Sequence, residues 1–179
     1  MTEKRDASES GAGHEKRQVA KAQNVSRMCM VCGRDNASSL KARFYELDDG
    51  EILGVFAPLE IHQSYPGRVH GGVITAMLDE TIGRAVNITD HAAWGVTVEI
   101  TVRFRKPVPV GEEVRVLGRL TRDTSRLFEG SGEIRLADDT IAAEATGRYM
   151  KMPIDKIADG DFSKEWFVDA REHPDEVAI

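Results

Sequence analysis

The feature that most constrains this chain is a single stretch of helical periodicity set among segments that alternate. In VHGGVITAMLDETIGRAVNI, Val73, Ile74, Met77, Leu78, Ile82 and Ala85 recur at the spacing of one helix face. Downstream the period becomes two: Val96, Val98, Ile100, Val102 and Phe104 alternate with Thr97, Glu99, Thr101, Arg103 and Arg105. The turn Pro107 to Gly111 ends that strand. Further strands are predicted over Glu113 to Thr121, Leu127 to Leu136 and Thr140 to Met150, with Asp138-Asp139 as the last tight turn. Upstream, LKARFYEL (40–47) and EILGVFA (51–57) flank Asp48-Asp49-Gly50, which reads as a hairpin. The four later strands have connections too short for parallel crossovers, so they are expected to run antiparallel. Two strands, one apolar helix and four antiparallel strands pack economically as an α+β fold, a curved antiparallel sheet wrapped around one long central helix.

A chain of 179 residues accommodates one domain with some tail. Residues 1–24, rich in Glu, Lys, Arg, Ser and Gly, read as a disordered or flexible tail. The folded domain is expected over 25–153, and 154–179 reads as a C-terminal arm organised around Phe162, Trp166, Phe167 and Val168. The net charge of −6 argues against a nucleic-acid binder that relies on overall charge, while leaving room for a local basic patch. No apolar run approaches the roughly 20 residues of a membrane helix, and the polar N-terminus lacks the apolar centre of a secretory signal. The expectation is a cytoplasmic protein with no membrane and no nucleic-acid partner. Cys29 and Cys32, in CMVCG, cannot build a disulfide framework and are too few for a zinc site by themselves. A second copy, His62 or His70 could complete one, but no metal is expected.

The helix carries the chemistry. Glu80 and Arg84 stand four apart with the acid first, a surface pair worth about 0.3 kcal/mol. Asp79 has no such partner, and its neighbours Thr75, Ala76 and Gly83 are small. A carboxylate there is open to close approach, and burial would raise its pKa as at catalytic carboxylates. The competing reading is a structural carboxylate bonded to Thr75 or to a neighbouring element. Gly71 and Gly72 open the helix, so its unpaired backbone N–H groups can meet a ligand and stabilise a developing oxyanion.

The segment RVHGGVITAMLDETIGRAV resembles the central helix of hotdog-fold acyl-CoA thioesterases of the PaaI-like, phenylacetate-degradation type. In that motif HGG is followed by an acid nine positions after the histidine. The resemblance spans roughly residues 28 to 151 and includes CMVCGRDN, which is similar to a cysteine-containing N-terminal piece in some of these proteins. It implies that Asp79 acts as nucleophile or general base, that the Gly71 N–H polarises the thioester carbonyl, and that His70 orients the thioester or the loop. It also implies that Thr97 assists the acid, often across a dimer. The family's Asn or Gln, about six residues before the histidine, falls at Ser64, with Gln63 and His62 beside it. Which of the three serves is open.

The implied reaction is hydrolysis of an acyl-CoA to free acid and CoA, with no cofactor because CoA is part of the substrate. Gly72, Arg103, Arg105, Lys106, Arg122 and Arg126 are the candidates for holding CoA. Arg148 and Lys151 also lie on strand ends that could meet phosphates. A homodimer or dimer of dimers with shared sites is expected. A non-catalytic acyl-CoA sensing module on the same fold is the alternative, and Asp79 counts against it.

Overall fold

The computed structural model describes residues 15–169 and 173–179. Its strands, in chain order, are β1 (Lys16–Ala22), β2 (Val25–Ser26), β3 (Arg43–Leu47), β4 (Ile52–Phe56), β5 (Trp94–Phe104), β6 (Val114–Asp123), β7 (Leu127–Arg135), β8 (Ile141–Met152), β9 (Trp166–Phe167) and β10 (Glu176–Ala178). One α-helix, α1 (Gly71–Arg84), lies between β4 and β5 and runs on into a 3₁₀ turn, Ala85–Ile88. Eight strands form one antiparallel sheet in the order β10-β1-β3-β4-β6-β7-β8-β5, and β2 pairs separately with β9. The sheet wraps the helix, as its alternation and the single helical segment require.

Helix α1 buries Ile74, Met77, Leu78, Thr81 and Ile82, one residue for nearly every step of a 3.6-residue face. His70 caps it: the ring Nδ1 accepts the Gly72 N–H at 2.9 Å. The helix sits so close to the sheet that a Cβ at Gly130 or Gly132 would meet the Ile82 side chain at 2.6 and 2.9 Å, respectively. Glycine on β7 thus sets the depth of the helix, and with it the height of every group the helix carries.

Two expectations need correction. Part of the anticipated tail is ordered: β1 pairs with both β3 and β10, while residues 1–14 lie outside the described residues. Its KRQVAKA sequence carries one large apolar residue, Val19, which packs on a small cluster of Tyr45, Leu47, Leu53, Val55, Leu117 and Ile179. The open edge of β3 recruits it, helped by an Arg17–Glu51 ion pair at 2.8 Å. The four later strands run antiparallel to their neighbours as expected, in the order β6-β7-β8-β5, so β5 lies beyond β8. The connection 105–113 therefore crosses over the helix N-terminus, where Val69 N–H donates to Val108 O at 3.0 Å. Lastly, the Glu80–Arg84 pair is not a surface pair. Arg84 is 5% exposed and bonds Glu80 at 2.8 Å and Asn24 O at 2.9 Å, with its guanidinium over the Phe44 ring at 4.0 Å. The C-terminal arm covers that end of the helix: Trp166 stacks with Phe162 and also faces Arg84 at 4.9 Å.

Candidate active site

The strand beside the helix is not a simple ladder. The β5–β8 register pairs Thr97 with Tyr149 and then Glu99 with Arg148, so Val98 is an extra residue on β5. Such a bulge flips the side-chain alternation along the strand. Before it, Thr97 shares the helix-facing side with Tyr149; after it, Ile100, Val102 and Phe104 lie opposite Gly147, Ala145 and Ala143. The unbroken apolar series from Val96 to Phe104 therefore does not share one face, and Val98 is 54% exposed. Thr97, on the polar side of the predicted pattern, is the residue the bulge aims inward.

It aims at Asp79. Thr97 Oγ1 donates to Asp79 Oδ1 at 3.0 Å, with Oδ2 at 3.2 Å. Tyr149 OH lies 3.1 Å from the same Oδ1 and 3.1 Å from the Asp79 carbonyl. Two hydroxyls thus hold one half-buried carboxylate, and both come from the same chain as Asp79 rather than from a partner. Burial pushes the Asp79 pKa above the ordinary carboxylate range, and the bonds from Thr97 and Tyr149 oppose that shift. Tyr149 is raised by its own burial and by the Asp79 charge, so it stays protonated and remains a donor. Thr75 is not a partner of Asp79: its Oγ1 returns to Gly71 O at 2.9 Å.

Tyr149 was not anticipated. It stacks on Phe128 with ring centroids 4.8 Å apart. A Cβ at Gly147 would lie 2.5 Å from its hydroxyl, so the small residue on its own strand clears its path to the helix. The signal available in TGRYMKM was a tyrosine in phase with Ala143, Ala145 and Gly147, on the helix side and two residues past a glycine.

The helix N-terminus forms the second half of the candidate site. Gly71 is the first helical residue, and a Cβ placed there would lie 3.6 Å from the Phe104 ring. His70 is extended, at φ −64° and ψ 138°, and its N–H donates to His62 O at 2.9 Å. With Nδ1 spent on the cap, His70 acts on the turn's geometry. His62 is buried, with Nδ1 accepting Leu59 N–H and Nε2 facing Ser38 O, both at 2.9 Å. Neither of its ring nitrogens is left for a ligand. Gln63 and Ser64 are exposed on the loop before His70: Gln63 Oε1 accepts Gly67 N–H at 3.3 Å, and Ser64 N–H donates to Arg68 O at 2.9 Å.

The basic candidates divide. Arg105 is engaged by Glu144 at 2.6 Å, and Arg122 reaches Glu129 at 3.9 Å. Arg103 and Arg126 make no ion pair among the described residues. Lys106 contributes its charge near Asp138. Arg103, Arg105 and Lys106 flank Phe104, and so lie close to the glycine-opened helix end. Arg148 pairs with Glu129 at 3.2 Å and Lys151 with Asp123 at 2.7 Å. Gly72 is exposed on the first turn.

A single long helix wrapped by an antiparallel sheet is the hotdog class of fold. Residues 66–143 match the thioesterase superfamily model. The acyl-coenzyme A thioesterase THEM4 of Xenopus laevis is 30% identical over 111 residues, which is 61% of this chain and 49% of that protein. The chain thus spans about half the length of the curated relatives it matches. A solved thioesterase superfamily protein is 30% identical with a TM-score of 0.63, covering 70% of this chain and 61% of that one. The PaaI protein from the E. coli phenylacetic acid degradation operon shares the fold, with a TM-score of 0.57 at 16% identity over 63% of this chain and 80% of its own. The fold is the hotdog fold, and residues 66–143 are similar to the thioesterase superfamily. No helix among the described residues is long and apolar enough to cross a membrane.

Proposed function

We propose that the protein hydrolyses an acyl-CoA thioester to the free acid and CoA. The observation that carries this reading is the Asp79 carboxylate, half-buried on the apolar helix and held by two hydroxyls, Thr97 and Tyr149. The donors keep it oriented, and burial keeps it basic enough to take a proton from water or to attack the carbonyl itself. This reading agrees with the name of the frog relative, an acyl-coenzyme A thioesterase.

The oxyanion requires N–H groups fixed where the thioester oxygen gains charge, and the Gly71 N–H at the helix N-terminus supplies one. Gly71 and Asp79 of one chain are eight residues apart, about 12 Å along the helix axis. One carbonyl cannot touch both. The site therefore takes Asp79 from one protomer and Gly71 from another in a homodimer. The loop that carries Gln63 and Ser64 would border it, and Gly72, Arg103, Arg105 and Lys106 would meet the CoA moiety near the helix end. The chemistry uses no cofactor, since CoA leaves as the thiol.

The test is a panel of acyl-CoAs with detection of released thiol. Some acyl-CoA is expected to be cleaved, and Asp79→Asn to lose at least about a hundredfold in kcat with the fold intact. Normal thiol release by Asp79→Asn would refute the assignment.

A further inference from the structure

The CMVCG turn lies between β2 and β3, and it folds against the side of α1 next to Asp79. Cys29 is half-buried and Cys32 buried, and neither forms a disulfide. Their sulfurs and a carboxylate oxygen of Glu80 all lie within 4.8 Å of one another. His62 and His70, the partners that the spacing alone left open, are not in this group.

The polar surroundings of the two sulfurs are unusual for neutral thiols. Cys29 Sγ accepts the backbone N–H of Val31 at 3.2 Å and that of Cys32 at 3.5 Å. Cys32 Sγ accepts the Ser26 N–H at 3.3 Å and an Arg84 N–H at 3.4 Å. A protonated thiol is a weak acceptor, whereas a thiolate is a strong one. Four N–H groups directed at two sulfur atoms form a cradle suited to the deprotonated form. The turn itself depends on Gly33, where a Cβ would stand 2.2 Å from Cys29 O.

Glu80 is also prepared. Arg84 places Nε at 2.9 Å and Nη2 at 2.8 Å from Oε1, so both of its bonds fall on one carboxylate oxygen. Oε2 keeps its lone pairs among the described residues. Arg84 is itself held by Asn24 O and the Phe44 ring, so the carboxylate is fixed rather than swinging in solvent.

We propose that Cys29, Cys32 and Glu80 form a binding site for a thiophilic divalent metal ion of the zinc class. Two thiolates and one carboxylate suit such an ion and not magnesium or calcium, which take oxygen ligands. Three protein ligands leave the fourth tetrahedral position to solvent at the half-exposed Glu80 side. The charges balance: as the ion enters, two thiol protons leave to solvent. The two thiolates, Glu80 and the dication then sum to a single negative charge, which the buried Arg84 neutralises. The bound ion would clip the 29–33 turn to α1 one residue beyond Asp79. This site is separate from the acyl-CoA reading, and either can fail alone.

The test uses full-length protein without a polyhistidine tag, reduced and stripped with chelator, then titrated with cobalt(II) under anaerobic conditions. The expected result is one cobalt per chain, a thiolate-to-cobalt charge-transfer band, and displacement of that band by zinc. Cys29→Ser and Cys32→Ser are each expected to lose most of the band, and Glu80→Gln to keep it while binding at least tenfold more weakly. Zinc is expected to raise the melting midpoint of the wild type and to leave that of Cys29→Ser unmoved, with circular dichroism confirming that each variant is folded. The proposal is overturned if reduced wild-type protein shows no thiolate band, or if Glu80→Gln binds as tightly as the wild type.

Discussion

Replacing Gly71 by proline separates the backbone N–H from every other property of the helix start. Gly71 is the first helical residue, and proline is well tolerated at that position because its N–H has no intrahelical partner. The preceding residue must be extended before proline, and His70 already is, at ψ 138°. The His70 cap uses the Gly72 N–H, which the substitution leaves in place. Gly71→Pro should therefore fold with a melting midpoint within a few degrees of the wild type. On the proposed mechanism it removes one donor from the developing oxyanion, and loss of such a donor costs about 3 kcal/mol, or roughly a hundred- to a thousandfold in kcat. Gly71→Ala is the control: it keeps the N–H, and its Cβ meets the Phe104 ring at 3.6 Å, an ordinary contact. Its kcat should stay within about tenfold of wild type, since it leaves that donor in place. Thiol release from the best acyl-CoA of the panel measures both. Equal activity in Gly71→Pro and wild type, or equal loss in the proline and alanine variants, would refute the oxyanion role of this N–H.

Tyr149→Phe keeps the ring on Phe128 and deletes one donor to the Asp79 carboxylate, so the Asp79 pKa should rise further. A bond to a half-exposed charge that Thr97 also serves is worth about one pH unit, and the acid limb of the kcat/KM profile should move up by that much; no shift, or a downward one, removes Tyr149 from the site. Because the Asp79 pKa is raised on folding, its contribution to stability is complete below the unfolded value and is lost as pH rises through the folded one. Asp79→Asn should thus melt above wild type at neutral pH, with the difference closing near about pH 4; a gap that widens on acidification contradicts the burial argument. Asp79→Asn and Gly71→Pro chains, unfolded and refolded together, should recover about a quarter of wild-type thiol release, since half the dimers are mixed and one of their two sites is intact. No recovery in demonstrably mixed dimers places both groups of a site in one chain.

How much of this was legible in the sequence follows from what periodicity can carry. Helix α1 and the strands after it were readable because each buries one face, and burial of one face writes itself as a period. Asp79 stood out because its neighbours on the helix are small and Glu80 has its own partner. The bulge at Val98 was hidden because the letters keep alternating through it: an apolar residue occupies an exposed position. Tyr149 was hidden for the opposite reason, since a tyrosine in phase with core alanines reads as packing. Strand β1 offers too little apolar surface to show itself, and forms because β3 has an open edge. Arg84 matched a solvent-exposed i,i+4 pair, and only the arrival of β2, the cysteine turn and the C-terminal arm buries it.

On the proposed mechanism, strand β5 links the chemistry to assembly. It is an edge of the sheet, paired on one side by β8, and an unpaired edge of eleven residues is a template for another chain. The bulge that breaks its alternation turns Thr97 inward to Asp79 and leaves Val98 outward, 54% exposed. Its far end brings Phe104 against Gly71. One strand therefore orients the acid at one end, borders the helix N-terminus at the other, and offers the edge along which a second copy can pair. Since Asp79 and Gly71 of one chain stand too far apart to share a carbonyl, an isolated protomer on the proposed mechanism holds two half-sites and no whole one. The same backbone irregularity keeps Ile100 and Val102 on the chain's own core while leaving Val98 exposed, so on the proposed mechanism the outward side of this edge is what a second copy would meet.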